Sequence, residues 1–185
     1  MTRRQSAWFA AAIAFPIIAI FITGLFALSY AIWAVLGLPA LNLPVVVRLS
    51  GGAVFFAGLA LGAWTFANRN PASVIVSTCI TLVKFLRRAP VSDRAGRTEP
   101  LVISGPQRYT RNPLYFGVVV MVFGWALWGS STYLLIAALV LLLFYSLLLI
   151  PFEEKELHAL FGEAWERYSK DTPMLVPFTK RKKTS

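Results

Sequence analysis

Cysteine and histidine are nearly missing from the chain, which has only Cys79 and His158. A lone cysteine excludes an internal disulfide, and one histidine beside it leaves no zinc cluster of the usual Cys and His kind. Charge is scarce too: 14% of residues are charged, against about 25% in soluble globular domains. Acids are the scarcest, with 8 Asp and Glu against 18 Lys and Arg and a formal net charge of +10. A basic excess of that size fits either nucleic acid or an anionic membrane surface, and the positions of the charges decide between them. Apolar residues take the place of the missing charge, at 57% of 185 residues with a mean hydropathy of +0.66. The length suits one domain.

The apolar residues fall into runs. No charge occurs between positions 5 and 47, and about 20 helical residues cross a hydrocarbon core. A crossing is therefore expected over about 10–36, ending at Gly37, with Pro39 and Pro44 in an irregular connection. A cleaved signal peptide fits poorly, because this run far exceeds the ~7–15 residue apolar region of a signal. A second crossing is expected between Arg48 and Arg69, where four glycines allow close helix approach and Trp64 marks an interface. Positions 112–152 are again uncharged, and Gly129, Ser130 and Ser131 divide them into a hairpin of helices over about 112–128 and 132–150. The apolar stretch 72–86 is short and ends in Lys84, Arg87 and Arg88, which reads as an interfacial helix. The expected fold is thus all-α: an integral-membrane bundle of four transmembrane helices, an interfacial helix and a C-terminal amphipathic helix. Residues 1–100 and 101–185 form two parts of one structural domain.

Four crossings place both termini and the central segment on one side, gathering 17 of the 18 basic residues there. By the positive-inside rule that side is cytoplasmic, which in a bacterium means an inner-membrane protein. The tail Lys180, Arg181, Lys182, Lys183 then reads as attraction to anionic headgroups rather than to nucleic acid, since no nucleic-acid motif accompanies it.

Two cytoplasmic stretches are richer in chemistry than linkers need. The first, 101–117, contains a Gly105-Pro106 turn signal and an Asn112-Pro113 helix start, flanked by Arg108, Arg111, Tyr109 and Tyr115. Helix-start N–H groups and two guanidinium groups suit an anionic moiety. The second, 151–168, has an apolar stripe of Leu157, Leu160, Phe161, Trp165 and Tyr168. Counting back from Leu157 at helical spacing lands on Glu154 and Glu153. The helix macrodipole accounts for one acid there. Two on the bundle side need partners, because unpaired buried carboxylates are costly. A hairpin returns Arg111 and the glutamates to the same membrane face. His158 reads as solvated and Cys79 as a packed small residue.

These stretches resemble the integral-membrane isoprenylcysteine carboxyl methyltransferases and the related phospholipid N-methyltransferases. The family pattern is Arg-His-Pro, a helix with Trp, and a second helix ending in Glu-Glu. Here Arg111-Asn112-Pro113 is followed by Trp125 and by Glu153-Glu154. The frames Gly-Pro-Gln-Arg-Tyr-Thr-Arg-Asn-Pro-Leu-Tyr-Phe-Gly and Glu-Glu-x-x-Leu-x-x-x-Phe-Gly-x-x-Trp-x-x-Tyr are also similar to the family. Asn112 departs from the family histidine: an amide donates and accepts hydrogen bonds but does not titrate near neutrality.

The resemblance implies S-adenosylmethionine (SAM) as cofactor and methyl transfer to a lipid or lipidated acceptor, with no metal and no nucleic-acid partner. Gln107, Tyr109, Arg111, Asn112, Tyr115, Glu153 and Glu154 would lie at the cofactor. Arg111, Glu153 and Glu154 would serve catalysis, and Arg108 would place the substrate. A carboxylate acceptor needs only an arginine to hold it, whereas an amine needs a base such as Glu153 or Glu154. Sterol reductases, which bind NADPH, are similar in their C-terminal region but much longer. A non-catalytic membrane protein with a basic face is the alternative from another class.

Overall fold

A computed structural model of the chain describes residues 3–88 and 101–179, so the tail Lys180–Lys183 lies outside the described residues, as do the side chains of Arg3 and Arg4. The boundary between 100 and 101 abuts the undescribed segment 89–100. Every regular element among the described residues is helical. In order they are α1 (Arg3–Leu36), α2 (Val45–Asn68), α3 (Pro71–Leu86), a 3-10 turn (Gly105–Arg108), α4 (Pro113–Trp128), α5 (Thr132–Phe144), a π turn (Tyr145–Leu149), α6 (Ile150–Phe161) and α7 (Glu163–Asp171).

Among the described residues, three stretches are long and apolar enough to cross a membrane: Trp8–Leu36, Val45–Asn68 and Thr132–Phe161. α4 has 16 residues, about 24 Å at 1.5 Å per residue, short of a core about 30 Å thick. The hairpin expected from Gly129-Ser130-Ser131 is present. Ser130 takes a positive φ of 50°, and the Ser131 hydroxyl accepts from the Leu134 N–H at 3.3 Å to cap α5.

One boundary differs from the sequence expectation. The second arm does not stop at 150; it runs on through the π turn into α6, so the glutamates ride on the same rod as the membrane-facing leucines. Pro151 lacks an N–H, yet it does not end the helix. The ladder has already left its four-residue register there, with the Ile150 N–H bonded to the carbonyl of Tyr145 five residues back. The break comes instead at Gly162, with φ of 49°.

α2 and α4 pack most closely, through glycines seven residues apart on each helix. A Cβ at Gly124 would lie 2.2 Å from the Phe55 nitrogen, and one at Gly58 would lie 2.5 Å from the Met121 nitrogen. Backbone approach of this kind replaces the hydrophobic drive that lipid cannot supply. The buried core lies between α4 and α5 (Val119, Val122, Ala137, Leu141) and extends into the π turn and Leu175. α1 packs on α3 and α5. Asn70 caps α3, its side chain accepting from the Ala72 N–H at 3.0 Å.

Candidate active site

Arg111 is held from both sides. Its backbone N–H donates to the Pro173 carbonyl at 2.9 Å, and its Nη2 reaches Glu154 Oε1 at 3.0 Å. The guanidinium lies 5.5 Å above the Trp165 ring centre, a flat cation on an aromatic face. Its side chain is only 5% exposed, so the charge is satisfied inside the protein rather than by water. The other glutamate faces α4: the Tyr115 hydroxyl donates to Glu153 Oε2 at 3.0 Å. Tyr115 is itself stacked on Tyr145 of the π turn, with centroids 4.7 Å apart. The expected return of Arg111 to the glutamate pair is therefore observed, with Arg111 on Glu154 and Tyr115 on Glu153.

The segment after α7 straps the 110–112 loop in place. Thr110 donates to the Leu175 carbonyl at 2.7 Å, and the Asn112 side-chain amide donates to the Met174 carbonyl at 2.9 Å. Asn112 was expected to cap α4 and makes no such bond. Its amide nitrogen serves the strap instead, while its own N–H turns to the Thr110 hydroxyl at 3.3 Å. Tyr168 of α7 donates to the Gln107 carbonyl at 2.8 Å. Burial pushes the Tyr168 phenol up to about 12, with Glu154 adding to the rise and Arg111 opposing it.

These groups surround a cavity of about 240 Å³ lined by Gln107, Arg111, Asn112, Tyr115, Glu153 and Trp165 on one side and by Thr65, Arg69, Ser73 and Ser77 on the other. Gln107 is 4% exposed, and its Oε1 is buried with no hydrogen-bond partner. An orphan acceptor at a cavity wall calls for a donor from a ligand. Arg108 and Tyr109 stand apart. Both are exposed and outside the lining, and the Tyr109 ring sits between those of Trp64 and Phe178. His158 is exposed and pairs with Glu166 at 2.9 Å. Among the described residues no cluster of His, Cys, Asp and Glu is placed to hold a metal ion.

Sequence reasoning missed the α3 wall. Its signal was present as polar residues at 73, 77, 81 and 84 within an apolar helix, a single face at helical spacing. The strap had no comparable signal, because it is held through backbone carbonyls.

Comparison with known proteins bears on the C-terminal half. Residues 87–164 match the family model for phospholipid methyltransferase. A 75-residue stretch is 37% identical to a methanethiol S-methyltransferase of Crocosphaera subtropica (strain ATCC 51142 / BH68), covering 40% of this chain. The match spans only 28% of that relative's length. No solved structure matches the chain. The segment that carries Arg111, Tyr115 and both glutamates is thus the part of the chain that is similar to phospholipid methyltransferases, which supports the resemblance read from the sequence.

Proposed function

We propose that the protein is an integral-membrane, SAM-dependent methyltransferase acting on a lipid or lipidated acceptor. The observation that carries this reading is the cavity lined by Glu153, Arg111 and Gln107, whose side-chain oxygen is an orphan acceptor, with Glu154 held on Arg111 beside it. The donor set suits the cofactor: carboxylates for a sulfonium and an ammonium, an amide oxygen for an N–H, aromatic walls for a purine. Arg111, Asn112 and Tyr115 complete the holding groups. When bound, SAM supplies an electrophilic methyl group.

The chain's own residues orient and desolvate the reactants, effects that together supply several kcal/mol. Glu153, held by Tyr115, is the base for an acceptor that must lose a proton, and Arg111 pairs with Glu154 beside it. A cavity of about 240 Å³ falls below the ~300–1,000 Å³ of typical ligand sites. A lipophilic acceptor therefore keeps its tail in the bilayer and brings in only its reacting end.

In this reading α4 is the fourth crossing, made short by local bilayer thinning. The basic segments and both termini then face the cytoplasm. The match to a methanethiol S-methyltransferase favours one second reading, a small thiol acceptor.

Calorimetry of the purified protein in detergent tests the cofactor: SAM binds, Glu154→Gln weakens it, and silence at millimolar SAM defeats the proposal. Incubation of membranes or small thiols with methyl-labelled SAM then identifies the acceptor.

A further inference from the structure

α3 turns its polar face inward. Ser73, Ser77, Thr81 and Lys84 recur at spacings of four, four and three, and residues so spaced share one side of a helix. Ser73 and Ser77 line the cavity. Farther along, Thr81 is fully buried and donates to Glu156 Oε2 at 3.5 Å, while Lys84 Nζ reaches Glu156 Oε1 at 3.1 Å. Glu156 is 3% exposed and stands three residues past Glu153 on α6.

An ion pair at this depth calls for a reason. Removing two charges from water costs several kcal/mol per ion, and a well-packed apolar pair of similar volume is often as stable or more so. What a charged pair adds is register, because its geometry admits one alignment where an apolar contact admits several. α3 otherwise packs chiefly on α1, with slight contact to α2 and the π turn. The pair is thus a polar tie between the cavity's α3 wall and the helix bearing both glutamates.

We propose that the Lys84–Glu156 ion pair, with Thr81, is a positioning element that seats α3 over the cavity and holds Ser73 and Ser77 on the wall opposite Glu153. Its consequence for SAM binding rests on the function proposed above, whereas its consequence for α3 does not. The chain carries its own reporter: Cys79, the single cysteine, lies on α3 and is 7% exposed. A seated α3 protects the thiol, and an unseated one releases it.

The experiment measures N-ethylmaleimide labelling of Cys79 and SAM affinity in the full-length protein in detergent. The variants are Glu156→Gln, Lys84→Met, Lys84→Arg and the double variant Lys84→Met/Glu156→Leu. The single neutral variants should label roughly tenfold faster or more, since breaking one partner of a buried pair is strongly destabilising. Lys84→Arg should keep the wild-type rate. The double variant should melt near the wild-type temperature yet label faster and bind SAM roughly tenfold more weakly. A double variant that labels and binds like the wild type overturns the proposal, reducing the pair to packing. If the single variants do not fold, the double variant and Lys84→Arg carry the same test. Absence of SAM binding in the wild type defeats the proposed function alone, and the labelling rates still decide the role of the pair.

Discussion

Tyr115 and Glu153 sit on two different rods, α4 and the long helix that ends in α6, and one hydrogen bond of 3.0 Å joins them. Tyr115 is 8% exposed, so its hydroxyl has little access to water, and the stack on Tyr145 fixes the ring's direction. The acid is thereby aimed by an aromatic lever.

Tyr115→Phe removes that bond and keeps the stack. The fold should lose about 1 kcal/mol, the net value of one hydrogen bond. Under the proposed function, methyl transfer should lose roughly tenfold in kcat, because Glu153 loses the hydroxyl that orients it. Melting curves and single-turnover rates on the same preparation separate the two effects.

Arg111→Ala leaves Glu154 without its 3.0 Å partner. Breaking one side of a buried pair costs about 3–5 kcal/mol. The lower end applies here, because the Glu154 side chain is 22% exposed and water softens the loss. Arg111→Lys retains the charge but gives up the flat face over Trp165, so its melting temperature should fall between the two. Thermal denaturation in detergent gives the order.

Gly124→Ala tests the α2–α4 seam. The added methyl would meet the Phe55 nitrogen at 2.2 Å and its Cα at 2.7 Å, backbone atoms that yield only if the helices part. A loss of more than about 2 kcal/mol is expected, since overpacking of a tight contact costs roughly 1–3 kcal/mol. Gly62→Ala, whose Cβ meets nothing within 4 Å, should be neutral or slightly stabilising. Equal effects from both would show that the seam is not a close contact.

Alkaline pH tests Tyr168. Its folded-state pKa is raised to about 12 by burial, above an unfolded value of about 10. The folded chain therefore holds the proton more tightly. The stabilisation is complete below about pH 10 and is lost as pH rises toward 12. Wild-type melting temperature should fall across that window more steeply than that of Tyr168→Phe, and identical slopes would contradict the assignment.

Much of the site was legible because its chemistry is local. Arg111-Asn112-Pro113 and Glu153-Glu154 announce themselves in sequence, and the uncharged stretch between them requires a hairpin that reunites them. Asn112 was misread as a cap because Asn before Pro is a common helix start. Its amide instead found a backbone carbonyl on a strap 62 residues away, a tertiary competitor that no local pattern reveals. The inward face of α3 was missed for a related reason. Basic residues near a short apolar helix normally seek headgroups, and the tertiary position of Glu156 draws Lys84 the other way.

The π turn is also a device of phase. Tyr145 and Glu153 are eight residues apart, which in an unbroken α-helix leaves them about 80° out of line at 100° per residue. One residue absorbed by the wider turn makes the separation act as seven, about 20° short of two full turns. The stacked tyrosine and the acid consequently look in the same direction along the rod. Straightening the turn into α-helix at full length would swing Glu153 by about 100°, whereas deleting one residue between 145 and 149 would keep its direction, so this span measures angle for the site as well as thickness for the membrane.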